Sequence, residues 1–196
     1  MFVPGGDPGR TQPKYLMAML EKQSGQLQRV HSEAQMWISP QGFSQEWMDE
    51  FVGILKQESP DWLTGVVFGP WIHMTMVEFR ELIPDRYLIR NYPDITHCLS
   101  CQYPVPEWDV AHALTIGREP VNPRPLDQAT IFRYSQPPTI GFLTYSEGCN
   151  DDVNKCIWSA LSWDPGRAVI DVLREYSRYF IGADYAHAFA QGLMAL

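Results

Sequence analysis

Residues 64–71 read TGVVFGPW. A short apolar run closes on Gly69-Pro70-Trp71, the pattern of a buried strand that stops abruptly at a turn. The same cycle recurs on both sides of it. Upstream, FVPGG (2–6) is a strand end meeting a Gly-rich turn, and AQMWIS (34–39) is a strand-like run broken at Pro40-Gln41-Gly42. Downstream, RYLIRNYPD (86–94) breaks at Pro93, and TIGFLTYSE (139–147) is the last strand. Helical spacing fills the intervals. Leu16, Met19, Leu20, Leu27 and Val30 make a stripe over 12–31 behind Pro13. Ser44 reads as an N-cap for a helix carrying Trp47, Phe51, Ile54 and Leu55, and 74–83 is a short helix stopped by Pro84. A Pro-rich excursion occupies 98–138, the kind of long loop that is often functional. Asp164-Pro165 then predict the cap and first residue of a helix striped by Val169, Val172, Leu173, Tyr176 and Phe180, and DYAHAFAQGLMAL starts another.

Strands alternating with helices predict an α/β fold of parallel βαβ units. No G-x-G-x-x-G turn is present, which argues against a doubly wound nucleotide-binding sheet. Each strand instead ends in polar, Gly, Pro or aromatic residues, and loading the carboxyl ends of successive strands is the habit of a (β/α)₈ TIM barrel. Only five strands are legible, so the expectation is a partial barrel holding strands four to eight over residues 1–163, with truncated C-terminal helices over 164–196. A half-barrel completed by dimerisation is the competing arrangement. The open sheet edges of a partial barrel predict poor solubility or self-association.

Composition narrows the function. A net charge of -8 without a basic stripe argues against nucleic-acid binding. No apolar run approaches the roughly 18 residues of a membrane span, and MFVPGGDPGR has no signal-peptide pattern. The compartment is left open, with a secreted or periplasmic parent protein as one expectation. Cys98 and Cys101 form C-x-x-C, but Cys149 and Cys156 are spaced unlike a zinc ribbon, so no metal and no cofactor is expected. The chain is rich in Trp, Tyr and Phe, many beside Pro or polar residues, as in clefts that stack sugar rings and in loop-packed cores alike.

Glycoside hydrolysis needs two carboxyl groups flanking one bond. The carboxylates at strand ends are Glu147, Asp94 and Asp7, each with a turn or capping role as its alternative. Glu147 stands out, because Glu is poor turn material and Gly148 lets the chain bend behind it. Candidate substrate contacts are Trp37, Trp71, His73, Asn91, Tyr92, His97, Tyr103, Trp108 and Tyr145. Glu107, Asp109, Arg118 and Glu119 lie in the long loop, and Asp151, Asp152, Asn154 and Lys155 read as a solvated helix start.

Gly5-Gly6-Asp7 after an apolar strand resembles the fourth-strand motif of the family 20 β-hexosaminidases. Tyr145-Ser146-Glu147, with Ile157-Trp158-Ser159 and Trp163-Asp164-Pro165 downstream, resembles the end of that barrel and of glucuronidase-related and O-GlcNAcase-like barrels. The resemblance implies a retaining sugar hydrolase in which Asp7 steers an N-acetyl group and Glu147 holds sugar hydroxyls. Pro8 stands where that family carries its acid Glu, so the acid would come from another strand, with Asp94 the choice. The expected function is therefore a fragment of a glycosidase acting on a carbohydrate. The alternatives are an inactive carbohydrate-binding barrel and a metal-dependent barrel hydrolase using His97, Asp94 and His73.

Overall fold

A computed structural model describes residues 2–4, 10–96, 102–103, 123–144 and 151–195. The fold is mixed α/β. Strands β1 (Phe2–Pro4), β2 (Trp37–Ser39), β3 (Gly65–Phe68) and β4 (Leu88–Asn91) form one parallel sheet in the order β1-β2-β3-β4. Val3 pairs with Ile38, Ile38 with Val66 and Val66 with Ile89 along one register line. Of the expected last strand, the described residues contribute a single parallel bridge, Phe142 to Asn91, flanked by bonds from Ile140 N–H to the Ile89 carbonyl and from Leu143 N–H to the Asn91 carbonyl, both 2.9 Å.

Three helices separate the strands, and local chemistry sets their ends. Helix α1 (Pro13–Val30) starts on a proline whose missing N–H would have had no helical partner. Helix α2 (Gln45–Gln57) is capped as expected, Ser44 Oγ accepting the Trp47 N–H. Helix α3 (Met76–Leu82) carries a full capping box. Thr75 Oγ1 accepts the Glu78 N–H, and the Glu78 carboxylate accepts the Thr75 N–H in return. The helix ends before Pro84, as its sequence predicts.

The core of this first unit lies between one sheet face and these helices. Ile38, Val66, Phe68 and Ile89 meet Leu16, Met17 and Leu20 of α1, Phe51, Val52 and Leu55 of α2, and Met76 and Phe79 of α3. Burying each such side chain contributes about 1.5–3 kcal/mol. The α1 stripe is rotated from the expected one: Met17 and Ser24 are buried, whereas Met19 and Val30 are exposed. Met17 and Leu20 with Leu16 already fill the i, i+1, i+4 face that the sheet can cover, so Met19 falls outside it.

The chain divides into two compact units, residues 1–93 with 138–143, and 94–137 with 144–196. The boundary expected at 163/164 falls inside the second of these units. Among its described residues the second unit is helical: α4 (Pro125–Ser135), α5 (Asp152–Trp163), α6 (Val169–Phe180) and α7 (Ala186–Met194). Helix α4 lies inside the stretch read as a loop, where Pro125 at the first helical position was the available signal. Asp164 is the C-cap of α5 rather than the N-cap of the next helix. Its Oδ1 accepts the Gly166 N–H at 3.0 Å, closing a turn, and α6 begins only at Val169. On α6 the buried positions are Val169, Val172, Leu173 and Ser177, while Phe180 is exposed.

Candidate functional site

Parallel strands bring their last residues and following turns to one edge of a sheet, the edge where α/β folds hold ligands. In the first unit that edge carries Ser39-Pro40-Gln41 after β2, Gly69-Pro70-Trp71 after β3, and Asn91-Tyr92 at the end of β4. Ser39, Gln41 and Asn91 are buried polar residues there. Backbone groups stitch the turns together. The Gln41 N–H donates to Ser39 Oγ at 3.3 Å, the Gly42 N–H to the Trp71 carbonyl at 3.4 Å, and the Tyr92 N–H to the Phe68 carbonyl at 2.7 Å. A Cβ on Gly69 would stand 2.1 Å from Gln41 Oε1, so only glycine lets the amide lie against this strand end.

The sequence candidates on this unit divide by exposure. Trp71, 56% exposed, and His73, also exposed, offer open surface in the turn after β3. Tyr92 is half-buried, and Asn91 is fully buried while its backbone pairs with 141–143. Trp37 is a correction. It is 2% exposed, its ring packs against Gly65, and the Arg90 guanidinium lies 4.0 Å above its centroid. A ring enclosed this way stabilises the sheet through packing and a cation–π contact, and presents no surface for a sugar. Its place just ahead of the Pro40 break made it look like a strand-end residue.

The second unit contains a separate polar cluster, and Asp94 belongs to it at 3% exposure. Asp94 Oδ1 accepts the Thr96 N–H at 3.1 Å, and the Asp94 N–H donates to Gln102 Oε1 at 3.2 Å. Thr96 Oγ1 donates to Asp151 Oδ2 at 3.2 Å, and Lys155 Nζ stands 3.2 Å from Asp151 Oδ1. Two buried carboxylates thus flank one threonine, with an ammonium on the far side of Asp151. Asn154 donates to the Ile95 carbonyl at 3.2 Å and accepts the Arg124 N–H at 2.9 Å. Arg124 in turn donates to the Tyr103 carbonyl at 3.0 Å and pairs with Asp127 at 3.3 Å. Burial, aided by the neighbouring Tyr134, pushes the Tyr103 phenol up to about 12.

Asp151, Asn154 and Lys155 do begin a helix, as read from sequence, but Asp151 and Asn154 are buried rather than solvated. The Asp151–Lys155 spacing of four residues was the one local sign of their pairing. Glu147, Asp7, His97, Trp108 and Tyr145 lie outside the described residues, as do Glu107, Asp109, Arg118 and Glu119. Among the described residues no group of three or more His, Cys, Asp or Glu side chains is arranged to hold a metal ion, and no helix is long and apolar enough to cross a membrane. Cys156 is half-buried, and burial followed by the Asp152 charge pushes its thiol up, away from the reactive thiolate range. No protein-family model, no curated protein and no solved structure matches this chain.

Proposed function

We propose that the chain is part of a (β/α)₈ glycoside hydrolase, contributing strands four to eight, and that its carboxylates cleave glycosidic bonds in a carbohydrate. Asp94 and Glu147 are the first assignments and Asp7 the third. The order of the sheet carries this reading. Strands β1 to β4 pair as parallel neighbours in chain order and β4 pairs next with Phe142, so every crossover advances one strand in the same direction. Barrels wind in this manner, whereas doubly wound sheets reverse direction at their site. The resulting edge sets an exposed tryptophan ring among buried neutral polar groups, a combination suited to stacking sugar faces and bonding hydroxyls.

One observation favours a second reading, a carbohydrate-binding barrel without turnover. Asp94 Oδ1 is engaged by the Thr96 N–H in the manner of an aspartate that shapes a turn. The two readings separate in one experiment. Aryl β-glucoside, β-glucuronide and N-acetyl-β-glucosaminide are assayed for release of the aryl group. Cello-, xylo-, manno- and chitotetraose are titrated calorimetrically. Turnover that falls by roughly 10²-fold or more in both Asp94→Asn and Glu147→Gln supports the hydrolase, the size expected for loss of an acid or base. Binding without turnover, little changed in either variant, selects the binding barrel. A chain that neither cleaves nor binds any of these probes rejects both.

A further inference from the structure

The Gln41 side chain is enclosed, 7% exposed, yet among the described residues no donor reaches its Oε1. A buried amide oxygen left without a donor is costly, and such groups are rare enough to require a reason. Gln41 is not needed to hold its own turn. Its backbone N–H is already taken by Ser39 Oγ, and Phe43 N–H closes the turn on the Pro40 carbonyl at 3.0 Å. A methionine would fill the same space without stranding a polar atom. The neighbouring strand is nevertheless cut back to receive this amide. Any side chain at Gly69 would meet Gln41 Oε1 at 2.1 Å and Ser39 Oγ at 3.1 Å. Both groups sit just beyond the carboxyl ends of β2 and β3, where parallel sheets bind their ligands.

We infer that Gln41, with the Ser39 hydroxyl beside it and Gly69 as the cleared floor, reads a hydroxyl group of a neutral saccharide at this edge of the sheet. The inference rests on the carbohydrate reading given above and names a contact within it. An uncharged amide and a hydroxyl suit a neutral polyol, since neither supplies the charge that an anionic or cationic group would need on burial. The terminal amide torsion of glutamine is soft, so a half-turn exchanges its oxygen and nitrogen at little cost and lets it act as acceptor or donor.

The test compares Gln41→Met, Gln41→Glu and wild type in two measurements. In thermal melts without ligand, Gln41→Met melts at the wild-type temperature or above it, because removing the stranded oxygen removes a penalty. In calorimetric titration with whichever of cello-, xylo-, manno- or chitotetraose the wild type binds, Gln41→Met binds roughly 3- to 10-fold more weakly, as expected for one neutral hydrogen bond. Gln41→Glu, of the same shape, retains acceptor oxygens and recovers part of that affinity. A fall of several degrees in the ligand-free melt of Gln41→Met overturns the inference, because it assigns Gln41 a structural role. Equal affinity of wild type and Gln41→Met overturns it while leaving the carbohydrate reading intact. A wild type that binds none of the four probes removes the carbohydrate reading, and this assignment with it.

Discussion

In the first unit an apolar cluster runs from α1 through the sheet to α3, and apart from Ser24 on α1 the buried polar residues Ser39, Gln41 and Asn91 lie at strand ends. In the second unit, Asp94, Thr96, Asp151, Asn154, Arg124 and Gln128 are buried alongside Phe132, Ile157 and Trp158. Even the buried ring of Trp158 is tied by polarity: it packs edge-on to Phe132 with centroids 5.2 Å apart and donates from Nε1 to Gln128 Oε1 at 2.7 Å. The contrast is one of tolerance. Apolar contacts are non-directional, so losing one atom costs in proportion to the space left behind. A buried polar network depends on every member, because a lost partner strands the group that remains.

The comparison can be broken by mutation. Phe79→Ala, which empties a fully buried site in the first unit beside Phe68, is expected to cost about 3–5 kcal/mol by urea denaturation. A cost below about 1 kcal/mol would mean that the apolar cluster does not hold that unit. Asn154→Leu preserves bulk but leaves the Arg124 N–H and the Ile95 carbonyl without their partner, for an expected loss of about 2–4 kcal/mol. If this variant is as stable as the wild type, the network is dispensable and the two units are held alike. Thr75→Ala removes one surface cap and should cost about 1 kcal/mol.

The same cap sharpens the comparison through pH. Hydrogen bonds from the Thr75 backbone and then its hydroxyl hold the Glu78 carboxyl below its ordinary value. A depressed carboxylate adds stability above its unfolded pKa and loses it as pH falls through the folded value. The advantage of wild type over Thr75→Ala should therefore be full at neutral pH and shrink in acid, as followed by circular dichroism melts. Tyr103 of the second unit works at the other end of the scale. Its raised phenol favours the folded state below the unfolded value of about 10, and that contribution disappears as pH rises through about 12. Burial also raises the phenols of Tyr87 and Tyr176, so ultraviolet titration should show several late phenolates in wild type and one fewer in Tyr103→Phe.

Periodicity made the first unit legible. Its strands, the Ser44 cap and the stop before Pro84 follow from residues within a few positions of one another. Trp37 was misread because which side of a strand is covered depends on Gly65 and Arg90, far along the chain. The polar cluster was hidden for the same reason at greater range. Asn154 bonds Ile95 across 59 positions, and nothing beside Asn154 announces that partner. Nothing beside Gln41 marks it, because the glycine against which its amide lies follows the next strand. Asp94 was visible as a carboxylate at a strand end, but its enclosure with Asp151 was not.

The chain passes between its two units at three places, after Pro93, after Pro137 and after Leu143. As a ribosome delivers the chain, β2, β3 and β4 can each dock on a strand already made. The stretch that bridges to Asn91 also meets a finished strand, but only after everything from Asp94 to Pro137 has been synthesised. Closing so long a loop adds little free energy, because the entropic cost grows only with the logarithm of length. It adds waiting time instead. During that interval the nascent sheet keeps the flank of β4 unpaired, an edge that other chains can reach.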